Sequence, residues 1–106
     1  MFPGYQLMVQ QFIEANGLET DVSSRLLDLV SEVGELAKES LKITNYGKQA
    51  FFPHDDTQWS AELADVFFAL ICIANSTGVD MDEALDAALQ KYATRLSSKG
   101  DVGSGR

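Results

Sequence analysis

Apolar positions recur at helical spacing in four stretches of this chain, separated by short polar breaks. The first spans about residues 5–15 and stops at Asn16-Gly17, a frequent helix terminator. The second starts at Asp21 or Ser23, either of which can cap it, and runs to about Ile43, where Asn45, Tyr46 and Gly47 end it. The third starts near Thr57, read as its cap, and ends at Ser76-Thr77-Gly78. The fourth begins at Asp80, with Asp82 and Glu83 in its first turn, where the helix dipole favours acids, and closes near Ser97. No stretch alternates as a strand would, and no internal repeat is visible. The pattern predicts an all-α, four-helix bundle-like domain over residues 1–99. The Gly/Ser-rich tail, residues 100–106, is expected to be disordered.

The second and third stretches differ in kind. At about 100° per residue, Leu26, Leu29, Val30, Val33, Leu36 and Ala37 form one broad apolar face of the second. Asp28, Glu32, Glu35 and Glu39 fall within an arc of about 60° on the other side, with no lysine between them. Taken alone, that stripe is either a solvated face or a set of ligands. The third stretch is apolar on every side through Leu63, Ala64 and residues 66–74, which predicts a buried helix. Glu62 and Asp65 sit in its first turns, one helical step apart. Carboxylates there are costly unless paired or bound to a cation. The arginines are Arg25, Arg95 and Arg106 only, so a metal is the simplest partner. The alternative is that Glu62 and Asp65 favour the positive helix N-terminus and face water. Four carboxylates, Glu32, Glu35, Glu62 and Asp65, with no histidine suit Mg2+, with Mn2+ as the alternative. A di-iron site needs Glu-x-x-His pairs, and His54 is not so placed. Zinc is disfavoured for the same reason, and no EF-hand loop is present for calcium.

Composition narrows the classes. The length of 106 residues and 45% hydrophobic content point to one globular domain. Sixteen acids against eight bases, a net charge of -8, argue against a nucleic-acid polymer as partner. A phosphate substrate needs a cation as escort. Cys72, in an apolar run, allows no intrachain disulfide and reads as a buried, inert thiol. The N-terminus lacks a signal-peptide pattern, and the longest apolar run, residues 66–74, is far short of a membrane span of ~20 residues. The expectation is a cytoplasmic protein without a membrane partner. The connection at residues 44–56 carries Tyr46, Phe51, Phe52 and His54, which suits a lid or a binding surface.

The order Ser31-Glu32-Val33-Gly34-Glu35 and then Glu62-Leu63-Ala64-Asp65, followed by an apolar run, resembles the MazG-type all-α nucleoside-triphosphate pyrophosphohydrolases. Their pattern is Glu-Glu-x-x-Glu on one helix and Glu-x-x-Asp on the next. Lys91-Tyr92-Ala93-Thr94-Arg95 resembles the family's Lys-aromatic-x-x-Arg, and the likeness covers about residues 26–96. Ser31 stands where many members have their first glutamate, so only Glu32, Glu35, Glu62 and Asp65 carry over as ligands. The resemblance implies Mg2+-dependent cleavage of a nucleoside triphosphate to the monophosphate and pyrophosphate, in nucleotide-pool housecleaning. It also implies a homodimer or a homotetramer built as a dimer of dimers.

Under that reading a glutamate of the stripe accepts the proton of the attacking water, Glu35 being named among equals, with Glu39 an outside candidate and otherwise a solvated residue. Lys91 and Arg95 either contact phosphate or form a surface pair with Asp86 or Glu83. Asn75 either touches sugar or base or caps a helix end. Phe51, Phe52, His54 and Trp59 are candidates to stack on the base, worth ~1–3 kcal/mol per base, with at least two of them expected in the core. The competing reading is a non-enzymatic helical oligomerisation or metal-binding module with a solvated acidic stripe. No residue here fixes the base or sugar.

Overall fold

Side-chain caps and left-handed residues set the limits of each helix. The computed structural model describes residues 2–53 and 56–99. These form α1 (Gly4–Ala15), α2 (Val22–Ile43), α3 (Thr57–Ser76) and α4 (Met81–Lys99), with no strand among the described residues. The tail, residues 100–106, and His54 lie outside the described residues. Asp21 caps α2 by accepting from Ser24 N at 3.1 Å and Ser24 Oγ at 2.6 Å. Asp56, not Thr57, caps α3, accepting from Gln58 N at 2.8 Å and Trp59 N at 3.1 Å. Thr57 is already the first helical residue, and the carboxylate before it reaches both free N–H groups. Past α2, Asn45, Tyr46 and Gly47 all take positive φ, and Tyr46 N closes on Leu41 O at 2.7 Å.

Along α2, Arg25, Leu29, Glu32, Leu36, Glu39 and Ile43 are half-buried or buried. Their alternating steps of four and three make a seam, and it faces α3, the helix that α2 packs against. The matching seam on α3 is Trp59, Glu62, Val66, Ala69 and Ile73. The broad apolar face of α2 is therefore split. Leu29 and Leu36 pack inside, while Leu26, Val30 and Val33 stay exposed. Two glutamates occupy seam positions while valines and a leucine next to them face outward.

α1 packs on the second half of α3, with Tyr5 against Phe67 at 5.6 Å between ring centroids and Phe12 edge-on to Phe68 at 6.3 Å. Gln6 is fully buried between them. Its Nε2 donates to Asn75 Oδ1 at 2.9 Å and Val79 O at 2.8 Å, and its Oε1 accepts from Met81 N at 2.8 Å. Asn75 Nδ2 returns a bond to Gln6 O at 2.9 Å. One side chain thus ties α1, α3 and the 77–80 turn. Gln6→Leu, close in volume, strands these partners, and a loss on the order of 2–4 kcal/mol is expected in urea unfolding. An unchanged midpoint would show that water replaces the amide.

The sequence predicted a four-helix bundle-like domain, and four helices are present, but they do not close into a bundle within one chain. α4 meets α1 at its first turn, where Tyr5 Oη donates to Asp82 Oδ1 at 2.9 Å, and does not pack along any other helix. Leu85, Leu89, Tyr92 and Leu96 form an exposed stripe along it. Gln6 bonds Val79 O and Met81 N, on either side of Asp80 where α4 begins. The Cα radius of gyration is 16.9 Å, against ~13 Å for a compact chain of 100 residues. The all-round burial expected of α3 is also only half realised. Ala69, Ile71, Cys72 and Ala74 are buried, but Leu63 and Phe67 are 44% and 50% exposed. By length and composition α3 is apolar enough to cross a membrane. It packs between α1 and α2, and two carboxylates sit in its first half.

Candidate metal centre

The seam between α2 and α3 brings acids from both helices to one point. Oxygens of Glu32, Glu62 and Asp65 all lie within 4.8 Å of one another. Glu32 and Glu62 are half-buried and Asp65 is exposed. Burial raises the Glu32 carboxyl above its ordinary range, and a hydrogen bond with Asp65 and the charges of Asp65 and Glu62 add to it. Gln58, one turn before Glu62, donates from Nε2 to Glu62 Oε1 at 2.5 Å and fixes that carboxylate. Three hard oxygen donors converging on a point too crowded for three anions fit a divalent cation such as Mg2+ or Mn2+.

Of the four expected ligands, Glu35 is not among the converging oxygens. It lines the adjoining cleft of about 360 Å³ with Lys38, Glu39, Lys42, Gln58 and Glu62. Glu39, expected to be solvated, is only 7% exposed. It lies 3.6 Å from Lys42 Nζ, and a side-chain hydrogen bond links it to Asp56. That bond, then burial, raises Glu39, while the same bond and the N–H groups of Trp59 and Gln58 lower Asp56. Asp28 sits at the far end of the stripe, paired with Arg25 at 3.2 Å.

The raised Glu39 value stabilises the fold fully below the ordinary carboxyl range, and the gain is lost as pH rises through the folded value. The lowered Asp56 value stabilises above the ordinary Asp range, and that gain is lost as pH falls through its folded value. Wild type is therefore expected to lose stability relative to Glu39→Gln as pH rises from the ordinary carboxyl range through the raised Glu39 value. Parallel urea midpoints across that range would refute the raised Glu39 carboxyl.

The remaining site residues are scattered. Phe51 meets Trp59 edge-on at 5.0 Å, so both are engaged with each other, while Phe52 is 70% exposed. Asn75 is held by Gln6 and lies ten residues beyond Asp65, ~15 Å along the helix. It lines a separate cleft of about 170 Å³ with Arg25 and Cys72. The Cys72 thiol is buried there and burial raises its pKa, as expected of an inert thiol. Lys91 and Arg95 ride on α4, where Lys91 Nζ stands 5.4 Å from the Tyr92 ring centroid and Arg95 is half-buried. Neither lines the cleft that Glu35 and Glu62 share. Asp86, a suggested partner, accepts instead from Gln90 at 3.0 Å.

The profile of the MazG nucleotide pyrophosphohydrolase domain matches residues 21–98. The chain belongs to this family. The MazG match takes in α2, α3 and nearly all of α4, hence all the acids above, and leaves α1 outside. The chain is similar to the uncharacterized protein YpjD of Bacillus subtilis (strain 168), at 40% identity over 68 residues, 63% of this chain and 60% of that one. It is also similar to dCTP pyrophosphatase 1 of Mus musculus, at 37% identity over 78 residues, 68% of this chain and 46% of that one. The chain therefore spans less than two thirds of the length of either relative. No solved structure matches it.

Gln58, Lys38, Lys42 and the Glu39–Asp56 pair were not singled out by motif. Spacing held the signal for two of them, since Gln58 stands four residues before Glu62 and Glu39 seven after Glu32.

Proposed function

We propose that this chain is a divalent-metal-dependent nucleoside-triphosphate pyrophosphohydrolase, releasing a monophosphate and pyrophosphate, in cytoplasmic housecleaning of the nucleotide pool. The observation that carries the reading is the convergence of Glu32, Glu62 and Asp65 within 4.8 Å, inside the region that matches the MazG domain. These three residues would hold Mg2+. Held there, it would supply charge compensation for the phosphates and activation of a water for attack on the α-phosphorus. Glu35, which lines the adjoining cleft, would accept that water's proton. Gln58 keeps Glu62 aimed at the site. Phe52, on the loop before α3, offers an exposed face for the base.

The active species in this reading is a dimer or a dimer of dimers. The uncovered stripes on α2, α3 and α4 need a partner, and a second copy supplies matching ones. Val30→Glu, in the middle of the α2 stripe, is expected to lower the particle mass in light scattering. The decisive assay is pyrophosphate release from a panel of dNTPs and NTPs with Mg2+, with dCTP first because a relative is named for it. Turnover of none of them would refute the proposal.

A further inference from the structure

The cleft beside the triad poses a question of charge. A nucleoside triphosphate carries most of its negative charge on the two phosphates that leave together. The chain's net charge is -8, and the triad itself is acidic. Cations must therefore meet the leaving phosphates close to Glu62. Arg25 lines a different cleft and pairs with Asp28, and Lys91 and Arg95 are on α4. Lys38 and Lys42 share the 360 Å³ cleft with Glu35, Gln58 and Glu62. They stand four residues apart, so their side chains rise from one flank of α2. The buried Glu39 holds Lys42 over that cleft at 3.6 Å.

We propose that Lys38 and Lys42 form the seat for the departing pyrophosphate, on the Glu35 side of the carboxylate triad. The inference rests on the pyrophosphohydrolase reading for its substrate, and it adds residues outside the acidic motif. Ammonium groups act there as point charges on flexible stems, which suits a product that must bind and then leave.

The test is calorimetric titration of the full chain with inorganic pyrophosphate in excess Mg2+. The variants are Lys38→Ala, Lys42→Ala, the double variant and Lys38→Arg. Charge-assisted contacts of this kind predict a loss of affinity of about tenfold for each alanine. The double variant loses more than either single one, and Lys38→Arg stays near wild type. Lys38 is not among the converging oxygen donors, and its alanine variant keeps the Glu39–Lys42 pair. Equal pyrophosphate affinity in wild type and the double variant overturns the seat, as does absence of pyrophosphate binding to a wild type that binds Mg2+. The readout is independent of turnover. Lysine-dependent binding in a chain that cleaves no nucleotide keeps the seat and rejects the enzyme reading. Turnover with lysine-independent binding rejects the seat alone.

Discussion

Glu62→Gln and Asp65→Asn are each expected to lower pyrophosphate release at saturating Mg2+ by at least about 100-fold, because losing even an outer partner of a metal ligand costs ~10–100-fold. Both changes preserve size and hydrogen bonding and remove one negative oxygen donor. Glu62 is the more telling position. It is half-buried in the seam, and Gln58 already orients it. The necessary control is Asp28→Asn. Asp28 lies on the same face of α2, but Arg25 pairs with it and it is outside the triad. Its neutralisation should change the rate by no more than about threefold, the scale of a screened surface charge. Equal losses in Asp28→Asn and Asp65→Asn would mean that bulk negative charge matters and the triad does not. Glu35→Gln separates ligand from base. With its carboxylate outside the converging set, it should reduce kcat while leaving Mg2+ affinity near that of wild type.

These controls follow from what could and could not be read in the chain. Helix ends were legible because their causes are local. Asn16-Gly17 stops α1, and Asp21 caps α2 within three residues. Thr57 was one position off, since a threonine and an aspartate side by side both make good caps. Glu62 and Asp65 stood out because carboxylates in an apolar run need a partner. Glu35 and Glu39 were harder to tell apart. The acidic arc of α2 spans only about 60°, and its spacing does not say which edge turns toward α3. The structure turns the Glu32–Glu39 edge inward and leaves Glu35 at the rim. The direction of α4 was not legible at all. Where α4 begins, Gln6 bonds Val79 and Met81, which are 73 and 75 residues away. Asn75 was assigned to sugar, base or a helix cap, yet it completes that same knot. Polar residues that pack far along the chain look like any surface amide in sequence.

Mg2+ should invert the order of stability between wild type and Asp65→Asn. Without metal, three carboxylates within 4.8 Å repel one another, and Glu32 is raised by burial and by its two neighbours. The folded state then holds its Glu32 proton more tightly than the unfolded chain does. Its advantage is full below the ordinary glutamate range and is lost as pH rises through the raised folded value. At neutral pH, metal-free wild type is therefore expected to melt below Asp65→Asn. Mg2+ replaces the missing proton. At 100 times its Kd it stabilises the native state by about 2.7 kcal/mol. For a domain of this size that corresponds to roughly 10–20 °C in Tm. Asp65→Asn, with a weakened site, should gain little, so the two melting temperatures cross as Mg2+ is added. A solvated acidic stripe behaves differently. It is screened by NaCl at matched ionic strength as well as by Mg2+, and the order of the two proteins stays the same in both. The crossing therefore tests the metal centre without any assumption about substrate, because it depends only on whether these three carboxylates share one ion.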